Sequence, residues 1–132
     1  MIYLLDTNTC IGHLTGRAPV ITRRLERLSP TDVALCAVVK GELLFGAHKS
    51  ARPSENLQRL MTFFAPLLSL PFDDVAAAVY GRIRATLERA GTPIGPNDLL
   101  IAAIAVAQGA TLVSRNLKEF ARVPGLRVES WE

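Results

Sequence analysis

The sequence predicts an α/β domain with a mainly parallel sheet of four to five strands flanked by helices. Three observations lead there. Short apolar runs closed by capping or turn residues recur along the chain, as in Ile2 to Leu5 followed by Asp6-Thr7-Asn8. Amphipathic stretches of helical length separate those runs. Leu99 to Ala107 carries no polar side chain at all, the composition of a helix buried at a domain's centre.

In order, Ile2 to Leu5 reads as a buried strand, and Asp6, Thr7 and Asn8 are good caps for a short helix over Thr9 to Leu14 that Gly16 stops. Pro19 to Leu28 follows as an amphipathic helix, with Val20, Ile21, Leu25 and Leu28 inward and Arg23, Arg24 and Arg27 outward, until Ser29-Pro30 breaks it. Val33 to Ala37 is a second strand and Val38 to His48 a helix. Pro53 opens another helix to about Phe64, because proline is tolerated in a first turn. Leu67 to Leu70 is a third strand, and Asp73 or Asp74 caps a long helix ending near Gly91. After the tight connection Thr92 to Pro96, the apolar helix runs from Asp98 to Gln108, and Gly109 ends it. Thr111 to Val113 is a fourth strand, Asn116 to Ala121 a short helix, and Leu126 to Val128 an edge strand after the Pro124-Gly125 turn. No repeat, low-complexity tract or linker divides the chain, so residues 1–132 are expected to form one unit.

Composition narrows the function classes. Hydrophobic residues make up 49% of the chain, enough for a real core and too many for disorder. No apolar run approaches the length of a membrane span, and Asp6 interrupts the opening run in a way that reads against a secretory leader; the expected compartment is the cytoplasm. Cys10 and Cys36 lack metal-ligand spacing and read as small core residues, and His13 and His48 as isolated surface or boundary residues. The net charge of +3, carried mostly by arginine, suits an anionic partner without identifying one.

Ligands of open parallel sheets gather at the carboxyl ends of the strands. Asp6 falls directly after the first strand, Glu42 on the helix after the second, and Asp98 at the start of the helix before the fourth. Ser114 and Asn116 follow the fourth strand, and Glu119 lies one helical turn beyond. Carboxylates converging without histidine or cysteine form an oxygen-only donor set, which suits Mg²⁺ or Mn²⁺ rather than zinc. Such a cation can activate water and neutralise a phosphate under in-line attack. Plainer readings stand beside this one: Asp6 and Asp98 as helix N-caps, Glu42 as a solvated helix residue, Ser114 and Asn116 as turn formers.

The stretches Leu5-Asp6-Thr7-Asn8, Gly41-Glu42-Leu43, Pro71-Phe72-Asp73, Gly95-Pro96-Asn97-Asp98-Leu99-Leu100-Ile101-Ala102-Ala103, Leu112-Val113-Ser114-Arg115-Asn116, Glu119-Phe120 and Arg122-Val123-Pro124-Gly125-Leu126 occur in this order over essentially the whole chain. Together they resemble the PIN-domain family, and within it the VapC ribonuclease toxins of bacterial toxin–antitoxin pairs. The resemblance implies a single PIN domain over 1–132 that cleaves RNA phosphodiester bonds with Mg²⁺ or Mn²⁺. By position, Asp6, Glu42 and Asp98 match the family's acidic metal ligands, Thr7 the hydroxyl beside the first, and Ser114 the hydroxyl near a fourth acidic position. Asn116 stands where many relatives have a fourth Asp, a departure that weakens a second metal site, and Glu119 is the acid able to supply the missing charge. Arg115 is the best placed residue for a flanking phosphate. The resemblance further implies a tRNA substrate (the initiator tRNA anticodon by analogy), a VapB-like antitoxin that covers the acidic site, and a homodimer. Leu43, Leu44, Phe45, Leu60, Phe63 and Phe64 offer apolar surface for those contacts, with about half expected in the core.

Two other classes were weighed. A phosphatase with an aspartate nucleophile wants a second acid two residues after the first, and that position is Asn8. A non-catalytic RNA- or protein-binding domain of the same fold would not need Asp6, Glu42 and Asp98 together.

Overall fold

A computed structural model describes residues 1–132. Five strands form one sheet in the order β3-β2-β1-β4-β5, all neighbours parallel: β1 (Tyr3–Leu5), β2 (Val33–Cys36), β3 (Leu68–Leu70), β4 (Thr111–Val113) and β5 (Arg127–Glu129). The helices are α1 (Thr7–Leu14), α2 (Pro19–Glu26), α3 (Ala37–Lys49), α4 (Pro53–Phe64), α5 (Asp74–Arg89), α6 (Pro96–Gln108) and α7 (Leu117–Phe120). A single 3-10 turn at Pro30–Asp32, which the apolar pattern did not signal, leads into β2.

The central strands are apolar because both faces are covered: Leu4, Leu5, Ala34, Leu35, Leu112 and Val113 have no exposed surface. Helix α6 supplies the deepest helical layer. Ile101, Ala102, Ala103, Ile104 and Ala105 are all buried in it, and it lies against α5 and the α3 side of the sheet. Burying each large aliphatic side chain of this kind stabilises the fold by roughly 1.5–3 kcal/mol relative to exposure. Gly109 closes α6 in the left-handed region at φ 63°, where a side chain would be strained.

Helix starts explain where the acids point. Asp6 Oδ1 accepts the Thr9 N–H at 2.8 Å, so α1 begins at Thr7, two residues before the apolar pattern marks it. Asp73 caps α5 in the same way through the Ala76 N–H at 3.0 Å. Helix α6 starts earlier than expected: Gly95 occupies the cap and Pro96 the first turn, where its missing N–H leaves nothing unpaired. Asp98 is thereby the third residue of α6 and not its cap. The last strand lies one residue later than Leu126–Val128, as an edge strand with weak patterning allows. No helix is long and apolar enough to cross a membrane.

Candidate active site

The strand order reverses between β1 and β4, and ligands of open α/β sheets bind outside the strand ends at such a point. Register sets Leu5 against Val113, and the Asp6 N–H donates to Val113 O at 3.1 Å. The residues that follow the two strands, Asp6 and Ser114, therefore leave the sheet side by side. Thr9 adds a hydroxyl bond to Val113 O at 3.2 Å, fixing the first turn of α1 to the end of β4.

Asp6 is buried, at 7% exposure, and only one of its oxygens is used by the cap. Thr7 donates its hydroxyl to Glu42 Oε1 at 2.9 Å, which holds the Glu42 side chain of α3 toward the start of α1. Glu42 is thus an oriented residue and not a freely solvated one. Ser114 is fully buried; its backbone N–H reaches Glu129 O at 3.0 Å and its hydroxyl accepts the Asn116 N–H at 3.0 Å, the work of a turn former. Asn116 makes no side-chain cap for α7. Its amide instead donates to Glu119 Oε2 at 2.6 Å, while Glu119 Oε1 accepts the Gly95 N–H at 3.0 Å.

Asp98 meets Glu119 beside that turn. Burial, a hydrogen bond shared with Glu119, and the negative charges of Glu119, Asp6 and Glu42 together push its carboxyl up to about 7. Burial works in the same sense on Glu119, but the Gly95 N–H, the Asn116 amide, the bond to Asp98 and the charge of Arg122 hold it below the usual range. The structure's ion pairs (Arg24–Glu129, Arg52–Glu55, Arg84–Glu88 and Arg115–Glu132) include none of the four acids at this edge.

Asp6, Glu42 and Asp98 supply an oxygen-only donor set of the kind a hard divalent ion takes, whereas Glu119 is already held by the Gly95 N–H, the Asn116 amide and the charge of Arg122. A β-carbon built on Gly95 would lie 3.6 Å from Asp98 Oδ2 and 3.8 Å from Glu119 Oε1, so glycine leaves the space beside both carboxylates open. No three acidic, histidine or cysteine side chains stand at ligating spacing as they are arranged. Arg115 is brought no closer to the acids by any bond; its guanidinium lies 3.9 Å from Glu132 Oε2.

Two openings meet at Glu42 and Ile11, and Glu42 is the one acid of the set that lines them. The wider, about 640 Å³, is bordered by Thr7, Asn8, Gly41, Phe45 and Asn97. The narrower, about 220 Å³, is an apolar groove between α1, α3 and α4 lined by Leu14, Leu43, Ala47 and Leu60. Of the six apolar residues expected to serve contacts, Leu43, Leu60 and Phe64 are core, Leu44 and Phe63 are half-buried, and Phe45 is 66% exposed. Cys10 and Cys36 are buried free thiols, raised by burial first, and so are unreactive packing groups. His13 is half-buried against Thr22 at 2.7 Å, and His48 is exposed. Reading residues singly missed Asn97, Gly95 and Arg122; only the Gly95-Pro96 dipeptide carried a local signal, as a turn.

The PIN domain family matches residues 3–126. The tRNA(fMet)-specific endonuclease VapC of Salmonella typhimurium is 40% identical over 129 residues, covering 98% of this chain and 97% of that protein. Ribonuclease VapC2 of Rickettsia felis is 39% identical, covering 100% and 99%. Among solved structures, VapBC2 from Rickettsia felis bound to a promoter DNA fragment aligns with TM-score 0.93 at 39% identity, covering 100% of both chains. DNA-bound VapBC from Salmonella typhimurium aligns with TM-score 0.94 at 39% identity, covering 100% of this chain and 99% of that one.

Proposed function

The chain belongs to the PIN-domain family, among the VapC ribonucleases, and from that premise we propose that it is a Mg²⁺- or Mn²⁺-dependent endoribonuclease toxin cleaving tRNA, with residues 1–132 acting as one catalytic domain. The observation that carries the metal dependence is the acidic set Asp6, Glu42 and Asp98 at the strand ends, where burial and the neighbouring acids raise the Asp98 carboxyl.

A bound divalent ion supplies charge neutralisation at the scissile phosphate and a water acidic enough to attack it. Asp6 and Asp98 would hold that ion, Asp6 with the oxygen that its cap bond leaves unused. Glu42, fixed by Thr7, would complete the ligand set or orient the attacking water. Asn116 is held to the Ser114 hydroxyl through its backbone N–H and to Glu119 through its amide. Arg115, 53% exposed and only loosely paired to Glu132, is free to turn to a flanking phosphate.

The Salmonella relative's stated specificity makes the initiator tRNA the first substrate to try. The VapBC assemblies of the structural neighbours support a VapB-like antitoxin as partner, and a homodimer is proposed by family resemblance alone. The apolar groove ending at Glu42 suits an antitoxin segment that places a basic side chain among the acids. The test is incubation of total tRNA with antitoxin-free protein in Mg²⁺, Mn²⁺ or EDTA, with the new ends sequenced. Discrete fragments that require metal are expected. Intact tRNA under every metal, from folded protein, would favour a binding domain that has lost cleavage.

A further inference from the structure

The turn Pro93–Gly95 leads into α6, whose third residue is Asp98, and apart from the packing of Ile94 against the core it has few backbone bonds of its own. Pro93 and Pro96 have no N–H, and Pro93, Ile94 and Gly95 make no backbone hydrogen bond beyond Gly95 O to Leu99 N at 2.9 Å, inside the first turn of α6 itself. Two side chains from the α7 region make up the deficit. Glu119 takes the Gly95 N–H at 3.0 Å, and Arg122 Nη1 donates to Pro93 O at 3.2 Å. The two are joined by the Arg122 N–H to Glu119 O bond at 3.2 Å, so they move as one piece. Asn116 steadies the other oxygen of Glu119 at 2.6 Å.

We propose that Glu119 and Arg122 form a two-point clamp on the Pro93–Gly95 turn, which sets the position of Asp98 for catalysis. This rests on the nuclease reading above but gives Glu119 a different duty from that of a metal ligand. Both its oxygens are already engaged by N–H donors of the protein, which would have to be surrendered for it to bind a cation. Arg122 is the second positioning residue: it holds the carbonyl two residues before Gly95 and places a positive charge near Glu119. The logic is that of a partner that orients a ligand without touching the metal, whose loss typically lowers affinity or activity about 10–100-fold.

The test compares wild type, E119A, E119Q and R122A. Amide exchange at Gly95 is read by NMR in metal-free protein, and kcat and KM are read separately on RNA. In E119A, Gly95 exchange should rise by about tenfold or more, as for a locally opened segment, and kcat should fall with KM nearly constant. E119Q keeps an oxygen for the Gly95 N–H and should recover most of the protection and much of kcat. R122A should loosen Gly95 and lower kcat in the same sense but less.

Unchanged Gly95 exchange in E119A would overturn the clamp. So would an E119Q protein that keeps Gly95 protected yet is as slow as E119A, since the charge itself would then be what matters. If wild type cleaves no RNA, the nuclease reading fails, and the exchange data alone still decide whether the clamp exists.

Discussion

Asp98 Oδ2 and Glu119 Oε1 both lie within 4 Å of the point where a β-carbon on Gly95 would stand, and each carboxyl shifts the other, Asp98 upward and Glu119 downward. Two carboxylates from positions 21 residues apart in sequence resist ionising together at such range. The relationship connects the fold, which brings α6 and α7 to one sheet edge, with the chemistry assigned to that edge.

The first consequence is a pH dependence. The Asp98 carboxyl is raised in the folded protein, so the native state binds an extra proton. The stability this provides is complete below the ordinary carboxyl value and is lost as pH rises through about 7. Glu119, held low, acts in the opposite sense and only at more acidic pH. Metal-free protein should therefore melt at progressively lower temperature from pH 5.5 to about 7 and then level off, and saturating Mn²⁺ should flatten or reverse that trend by binding the deprotonated form. Calorimetric Tm values with and without Mn²⁺ check it; a metal-free Tm rising steadily over that interval would count against the raised Asp98 carboxyl.

Thr7 acts through Glu42. T7V removes the 2.9 Å bond while nearly preserving shape. Stability should change by no more than about 3 kcal/mol, the upper net worth of one hydrogen bond to a charged group. Single-turnover RNA cleavage should slow about tenfold or more, as expected when an orienting partner of a ligand is lost. Full activity in T7V would show that Glu42 needs no fixing.

Ile104 has no exposed surface in α6. I104A should destabilise the protein by about 2–5 kcal/mol in urea denaturation, from lost transfer energy and the cavity left behind. A loss under about 1 kcal/mol would mean that α6 is not the close-packed centre of the core.

Much of this was legible in the residues. Leu4, Leu35 and Leu112 lie in apolar runs because their strands are covered on both faces, and Leu99 to Ala107 is apolar because α6 is enclosed. Helix starts were less legible. Asp6 and Asp98 look alike as caps in sequence, yet Asp6 caps α1 and Asp98 does not cap α6, because Pro96 lets that helix begin two residues earlier. The bonds from Glu119 to Gly95 and from Arg122 to Pro93 span 24 and 29 residues and follow no periodicity, so only the folded chain displays them. Arg115 stands out by its charge and place after β4, and its pairing with the C-terminal Glu132 follows no periodicity in the sequence.

The central claim is that these acids hold a divalent cation that drives RNA cleavage, and its most direct measurement is Mn²⁺ titration calorimetry on wild-type and D98N protein, each then assayed on tRNA. Asparagine keeps the shape of Asp98 and removes its charge. The expected result is Mn²⁺ binding to wild type, weakened by about tenfold or more in D98N, with metal-dependent fragments lost in the variant. Equal Mn²⁺ affinity and equal cleavage in D98N would contradict the account and reduce Asp98 to a structural residue at the start of α6.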